Sequence, residues 1–309
     1  MNIDKLELSQ LLRKGKLFIA NAKINLAIDV LGIKPENGYH LVEMIMQQIP
    51  LYDRLFFFTG KDTDILPYTT QIDENIFLAC NARRLPLNEK NLVYKAARLM
   101  MDRYGINDFV SIYIEKHIPA GGGLGGGSAD GAAVLRGMNN IYTLGATMDE
   151  LEELAKGLGS DVPFMIRGGA ALAQGTGTDL SKLHPMKKGW LLLVNPNIFL
   201  STEKVYKALD ETAISTDAHP DTKLLINALE KQDLGTFAAN MKNVLELAAF
   251  KLCPQIGELK ESILQQGAIG AMMSGSGATV FGIFEEETAA KKAMTLYREQ
   301  RLFSTVTPL

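Results

Sequence analysis

Apolar residues recur at every second position in two early segments, and this spacing predicts β-strands. In residues 17–30, the even positions from Ala22 to Val30 are apolar and share one face, while Lys23 and Asn25 lie on the other. A turn is predicted at 34–38 and a second strand at 51–58. In residues 110–114, the same alternation predicts a strand with one exposed face, which is typical of antiparallel sheets.

Helical spacing dominates the later part of the chain. Residues 147–150, Thr-Met-Asp-Glu, form a capping box that predicts a helix starting at Met148. Because strands are concentrated early and helices late, we predict an α+β fold with mainly antiparallel or mixed sheets and two domains, 1–180 and 181–309. The predicted helices are 91–104, 128–142, 148–158, 202–209, 222–229, 234–249, 254–266 and 287–299, and the two later strands are 190–194 and 278–284.

Length and charge limit the class of protein. The 309 residues suffice for one large or two ordinary domains, and the net charge of −3 disfavours nucleic acid and anionic membranes as partners. Cys80 and Cys253 predict neither a disulfide framework nor a cysteine-rich metal site. The segment Met1–Lys16 lacks the apolar core of a secretory signal, and no apolar run has the length of a membrane span. We therefore predict a cytoplasmic protein and infer no obligate protein partner.

The segment from Pro119 to Ser128 contains six glycines among ten residues, between a predicted strand and a predicted helix. Backbone N–H groups at a helix start bind anions, so this glycine run is a candidate phosphate loop. A flexible loop is one alternative. A dinucleotide fingerprint is another, since Gly121, Gly123 and Gly126 fit its spacing. The half-exposed strand predicted before the run disfavours that fingerprint, and the lack of a following lysine excludes a Walker loop.

The glycine run resembles the phosphate loop of the GHMP kinase superfamily. Its pattern is Pro-x-x-x-Gly-Leu-Gly-x-x-Ser over residues 119–128. Further segments resemble one branch of that superfamily and occur in the order found there. They are Ala-Lys-Ile-Asn-Leu at 22–26 with Gly-Tyr-His at 38–40, Asn-Leu-Val-Tyr-Lys-Ala-Ala at 91–97, Gly-Ser-Asp-Val-Pro-Phe at 159–164, and Met-Ser-Gly-Ser-Gly-Ala-Thr-Val-Phe at 273–281.

This resemblance implies an ATP-dependent kinase that uses Mg²⁺, with two lobes and an active site between them. The branch transfers the γ-phosphoryl group of ATP to the 2-hydroxyl of 4-diphosphocytidyl-2-C-methyl-D-erythritol, in the non-mevalonate route to isoprenoid precursors. Lys23 and Asp161 match its catalytic pair, and Ser128 and Asp130 are candidate metal ligands. The substrate-binding positions are Asn25, Tyr39, His40 and Thr202. The ATP-binding positions are Asn91, Lys116, Pro119, Ala120, Gly121, Gly122, Gly123, Leu124, Gly125, Gly126, Gly127, Ser128 and Ala129.

Several of these residues also have a purely structural interpretation. Asp161 and Thr202 are favourable N-cap residues for the helices that follow them, and Lys23 would then be a solvated strand residue. The loop departs from the branch at Ala129, where a hydroxyl is usual, and at Gly131, where alanine is usual. Another GHMP small-molecule kinase and a catalytically silent nucleotide-binding protein are the competing functions.

Overall fold

The computed structural model describes residues 5–33, 38–60, 69–82 and 85–309, so most of the turn predicted at 34–38 lies outside the described residues. Contacts divide the chain into two compact units, each assembled from separate stretches. The first unit comprises the described parts of Met1–Ala22, Leu51–Ala120 and Gly126–Arg167, and the second comprises those of Lys23–Pro50, Gly121–Gly125 and Gly168–Leu309. The predicted domains, 1–180 and 181–309, are instead two contiguous segments, and this division stays a prediction.

The strands β1 (Lys16–Ile33) and β2 (His40–Thr59) pair with each other, and each has one part in each unit. The other elements of the first unit are α1 (Lys5–Leu12), β3 (Thr70–Gln71), β4 (Ile76–Cys80), α2 (Leu92–Tyr104), β5 (Val110–Glu115), α3 (Gly126–Ile141), α4 (Met148–Lys156) and α5 (Val162–Arg167). The later part of β2 pairs antiparallel with β5, β5 pairs parallel with β4, and β4 pairs antiparallel with β3.

The second unit contains two antiparallel arrangements of strands. Its elements are β6 (Ala170–Gln174), β7 (Asp179–Leu183), β8 (Trp190–Asn195), α6 (Thr202–Asp210), α7 (Thr222–Lys231), α8 (Leu234–Asn240), α9 (Glu246–Leu252), α10 (Pro254–Gln265), β9 (Gly270–Met273), β10 (Val280–Phe284), α11 (Glu287–Glu299) and β11 (Phe303–Pro308). The early part of β2 pairs with β6, which pairs with β7, and a separate four-stranded sheet has the order β11-β8-β10-β9. Helices α10 and α11 pack on this sheet, so β9 and β10 are buried throughout.

The predicted α+β class with mixed and antiparallel sheets is confirmed. The capping box before α4 is also present, with the Thr147 side chain and the Glu150 backbone and side chain bonded reciprocally. None of the helices among the described residues has the length and apolarity needed to cross a bilayer.

Two predictions about elements are wrong, and both errors have a long-range cause. Ser111 and Tyr113 are buried, so β5 has no exposed face; Tyr113 belongs to an apolar cluster that includes Leu12 of α1. The single helix predicted at 234–249 is broken between α8 and α9. Backbone bonds divert the chain there, because the Ile28 N–H donates to the Lys242 carbonyl and the Val244 N–H donates to the Ile28 carbonyl.

Candidate active site

The glycine run turns sharply and leads directly into α3. Gly121, Gly123 and Gly125 have φ angles of +66°, +76° and +67°, a left-handed conformation in which glycine alone is unstrained. The helix begins at Gly126, two residues earlier than predicted. The first N–H groups of a helix have no partner within it, and they lie at the positive end of its dipole. The start of α3 is therefore suited to bind an anion.

A second glycine loop, Ser274 to Gly277, packs on the run within the second unit. The Ser274 hydroxyl donates to the Gly123 carbonyl at 3.0 Å, and the Thr279 N–H donates to the Gly122 carbonyl at 3.2 Å. A Cβ atom built on Gly123 would overlap the Ser274 carbonyl oxygen. Close backbone approach therefore explains glycine at position 123.

Lys23 and Asn25 lie beside these two loops. Both are buried, with 4% and 1% of their surface exposed, so the interpretation of Lys23 as a solvated strand residue is wrong. The Lys23 ammonium donates to Asn25 Oδ1 at 2.5 Å, and the Lys23 N–H donates to the Leu124 carbonyl at 3.0 Å. The Asn25 N–H donates to the Ser274 hydroxyl at 3.4 Å. Hydrogen bonds thus join a predicted catalytic residue, a predicted substrate residue and the glycine run.

The predicted substrate residues Tyr39 and His40 differ in their surroundings. Tyr39 is 65% exposed. His40 is half-buried: its Nε2 lies 2.8 Å from Asp210 Oδ1, and its ring centroid lies 4.5 Å from that of Tyr206. Sequence reasoning missed both α6 residues, because no motif marks them.

Thr202 is the first residue of α6, but Ser201 is its N-cap. The interpretation of Thr202 as the cap is therefore wrong. Its hydroxyl lies 2.7 Å from that of Ser276, in the second glycine loop. Nearby, the ring of Phe199 lies 3.2 Å from the point where a Cβ on Gly121 would stand, and this ring is 80% exposed. An exposed aromatic ring beside the run is a further feature that sequence reasoning missed.

Asp161 belongs to the first unit and immediately precedes α5. It is half-buried, and its carbonyl accepts from the Met165 N–H at 3.1 Å. Its predicted partner Lys23 belongs to the second unit, and the action of the two residues as a pair stays a prediction.

Asn91 is buried and is the N-cap of α2. Its Oδ1 accepts from the Val93 N–H at 2.9 Å, and its amide donates to the Pro86 carbonyl at 2.9 Å. Both the oxygen and the nitrogen of this side-chain amide therefore stabilise the local backbone. The residues just before it, Leu87 to Lys90, line a pocket of about 360 Å³ together with Gln71 and Ile72.

Lys116 directly follows β5 and belongs to a buried cluster of three ionisable side chains. Its ammonium contacts both Asp53 and Asp130, at 2.7 Å from Asp130 Oδ2. Burial alone would lower the pKa of Lys116, but the two carboxylates raise it above its ordinary value. Burial raises the pKa of Asp130 to about 7, against the effect of the Lys116 ammonium. Asp53 lies within a predicted strand and gave no sequence signal.

The candidate metal ligands differ in how well they suit Mg²⁺. No group of three histidine, cysteine or acidic side chains that could hold a metal occurs in the described part of the chain. Asp130 is a poor ligand for a cation because the Lys116 ammonium already contacts it. Ser128 lies in the first turn of α3 and is only half-buried. Its hydroxyl oxygen is the kind of hard donor that Mg²⁺ prefers.

Comparison with known proteins defines the class. Residues 91–169 match the N-terminal domain of GHMP kinases, and residues 225–298 match the GHMP kinase C-terminal domain. The chain is 43% identical over 287 residues to the 4-diphosphocytidyl-2-C-methyl-D-erythritol kinase of Alkaliphilus metalliredigens (strain QYMF), covering 92% of this chain and 94% of that protein. It is 42% identical over 283 residues to the enzyme of the same name from Clostridium novyi (strain NT), covering 92% and 96%.

Solved structures agree with these relatives. A crystal structure of 4-(cytidine 5′-diphospho)-2C-methyl-D-erythritol kinase superposes with a TM-score of 0.74 at 29% identity, covering 95% of this chain and 100% of that one. Homoserine kinase from Cytophaga hutchinsonii has the same fold, with a TM-score of 0.70 at 20% identity over 94% and 93% of the two chains. The chain belongs to the 4-diphosphocytidyl-2-C-methyl-D-erythritol kinase family of GHMP kinases.

Proposed function

We propose that this chain transfers the γ-phosphoryl group of ATP to the 2-hydroxyl of 4-diphosphocytidyl-2-C-methyl-D-erythritol. The relatives that are at least 40% identical carry the name of that kinase. The observation that carries the proposal is the chain of hydrogen bonds from Lys23 through Asn25 and Ser274 to Gly123. It places a buried cation and a polar amide beside a loop suited to phosphate.

In this proposal the glycine run and the start of α3 bind the triphosphate. Its N–H groups from Gly121 to Ala129 would face the phosphate oxygens, with Pro119 and Ala120 leading into the run. Phosphoryl transfer depends mainly on positioning and charge neutralisation, which such a loop supplies. Asn91 would lie near the adenosine in this proposal, and its N-cap hydrogen bond fixes the start of α2 beside the pocket lined by Leu87 to Lys90.

Asp161 is the proposed general base. Its carboxylate would accept the proton of the substrate hydroxyl, an effect worth about 10²–10⁴-fold in rate. Lys23 would keep that carboxylate ionised and offset charge on the transferred group. Asn25 orients the Lys23 ammonium through their 2.5 Å hydrogen bond. Mg²⁺ would be held by the phosphates with the Ser128 hydroxyl, and when bound it neutralises triphosphate charge.

Tyr39, His40 and Thr202 are proposed to bind the cytidine-linked substrate. The exposed Tyr39 ring offers a surface for base stacking, and His40 offers hydrogen bonds to the base edge. Asp210 would hold the His40 imidazole in place through its hydrogen bond to Nε2. Thr202 is an exposed residue at the start of α6, and its hydroxyl, 2.7 Å from that of Ser276, would bind the substrate.

We also propose a cytoplasmic location, because a kinase of this kind uses ATP and a nucleotide-linked metabolite. Two alternatives compete with this function. A different GHMP kinase would need another alcohol as its substrate, and the Tyr39–His40 pair argues against that. A silent nucleotide-binding protein would not need Lys23 and Asp161, so the presence of both argues against loss of catalysis.

The test is phosphorylation by the purified protein with ATP and Mg²⁺. We expect kcat/KM to be highest for the cytidylyl substrate, and we expect Asp161→Asn to lower kcat by about 10²–10⁴-fold while ATP still binds. Faster phosphorylation of homoserine or mevalonate would assign the chain to another GHMP activity. ATP binding without transfer to any of the three alcohols would favour the silent protein.

A further inference from the structure

The two ends of the glycine run are connected by three buried ionisable side chains of the first unit. Asp53 Oδ1 accepts from the N–H groups of His117 and Ile118 at 2.5 and 2.8 Å, just before the run. The Lys116 ammonium contacts the other Asp53 oxygen and Asp130 Oδ2, near the start of α3. Asp53 thus holds the entry of the run, and Lys116 connects that entry to its exit.

Stability alone does not explain this cluster. Two carboxylates share one ammonium, and all three side chains are buried: that of Asp53 is 0% exposed, that of Asp130 is 3% exposed and that of Lys116 is 6% exposed. Asp130 Oδ1 is buried without a hydrogen-bond partner among the described residues. Burying charge carries a large desolvation penalty, and apolar residues of similar volume are often at least as stabilising.

The start of α3 rests directly on this cluster. A Cβ on Gly126 would stand 3.0 Å from the Ile118 side chain and 3.3 Å from the Lys116 ammonium. The intervening run, Pro119 to Gly125, has three left-handed glycines and little side-chain mass. Hydrogen bonds from Ser274, Thr279 and Lys23 hold its middle, but such a segment keeps many accessible conformations unless its ends are also fixed, and ordering it on binding would weaken affinity.

We propose that Asp53, Lys116 and Asp130 form a clamp that holds the glycine run ready for phosphate before the nucleotide binds. Lys116 is then a positioning residue, and its ammonium acts on the nucleotide through the loop. The part of this inference that concerns nucleotide affinity rests on the proposed function. The part that concerns the order of the loop does not.

The test uses the full chain carrying Asp53→Asn or Lys116→Met. Asparagine retains an acceptor for the two N–H groups but loses the second carboxylate oxygen that contacts Lys116. The control is Arg98→Met, which removes the more exposed ion pairs of Arg98 with Asp102 and Asp73 from the same unit. Hydrogen exchange is measured without nucleotide, from subsecond times, on peptides spanning 116–131 and on peptides of α2 and α4. The ATP dependence of turnover is measured in parallel.

We expect both variants to exchange at least about 10-fold faster in 116–131 alone, and the control to match the unchanged protein. KM for ATP should rise about 10-fold while kcat changes less than about 3-fold. Unchanged exchange in 116–131 overturns the proposal, and so does equally faster exchange in α2 and α4, which would mean that the cluster only stabilises the unit. A higher KM in Lys116→Met alone, with normal exchange, would instead make Lys116 a direct ATP ligand. Failure of the kinase assay leaves the exchange result interpretable.

Discussion

Replacing Gly123 with alanine is the sharpest test of the contact between the two glycine loops. Gly123 has a φ of +76°, and an added Cβ would overlap the Ser274 carbonyl oxygen and lie 3.1 Å from that of Gly277. Both obstacles are backbone atoms, which cannot rotate away as a side chain does. Relief therefore requires one of the loops to move.

The size of the effect follows from two contributions. An L-residue in the left-handed region costs roughly 1–2 kcal/mol of stability at any position, but at Gly123 relief of the strain moves the candidate phosphate loop itself, so there the cost corresponds to about 5- to 30-fold in a rate or binding constant. The overlap adds to this strain. It also acts on Ser274, whose hydroxyl contacts the Gly123 carbonyl and the Asn25 N–H. We therefore expect Gly123→Ala to lower kcat/KM by at least about 30-fold.

Gly145→Ala is the matched control. Gly145 has a φ of +73°, but no atom lies within 4 Å of its added Cβ. It shares the backbone strain without the overlap, so it should lower the free energy of unfolding by roughly 1–2 kcal/mol and leave kcat/KM within about 2-fold. Steady-state kinetics and urea unfolding are measured on both variants. Equal effects of the two substitutions on both quantities would refute the argument that backbone overlap requires glycine at 123.

Three further predictions concern the core, a buried carboxyl and the substrate side. Leu12→Ala should lower the free energy of unfolding by about 2 kcal/mol or more in urea titrations, since Leu12 is buried in the cluster that covers β5; no loss would mean that α1 does not pack there. Burial raises the pKa of Glu246 although Lys260 opposes it, so the folded state binds the proton more tightly than the unfolded state and loses stability as pH rises above about 4. Glu246→Gln should remove this fall in the free energy of unfolding with pH, and an unchanged fall would contradict the assignment to Glu246. Asp210→Asn should raise KM for the cytidylyl substrate several-fold and leave KM for ATP unchanged, and a rise in both would contradict a role through His40.

Local signals in the sequence sufficed for many of the elements and for the loop itself. The alternation in residues 17–30 places Lys23 and Asn25 on one face, and in the structure these two side chains form a hydrogen bond. The capping box before α4 also needs only neighbouring residues. Such features depend on a few contiguous positions, so a single chain displays them without knowledge of the fold.

Burial and helix continuity depend on distant partners, and there the pattern misled. Ser111 and Tyr113 look like an exposed face until α1 is placed against the cluster that contains Tyr113. The segment 234–249 has helical spacing, but backbone pairing with Ile28 interrupts it. Neither partner is close in sequence, and no local propensity encodes it.

The same distinction between local and distant signals applies to the candidate site, where the glycine run is local and the side chains that hold it are distant. The glycine run is recognisable because the N–H groups suited to an anion come from adjacent residues, and glycine adopts their left-handed conformation without strain. Asp53, by contrast, acts on His117 and Ile118 from 64 and 65 positions away, within an otherwise ordinary strand. A motif thus identifies the backbone suited to the ligand, whereas the side chains that hold this backbone emerge only when the fold brings them to it. Substitutions at Asp53 therefore test whether the run works as an isolated motif or only as one part of a supported structure.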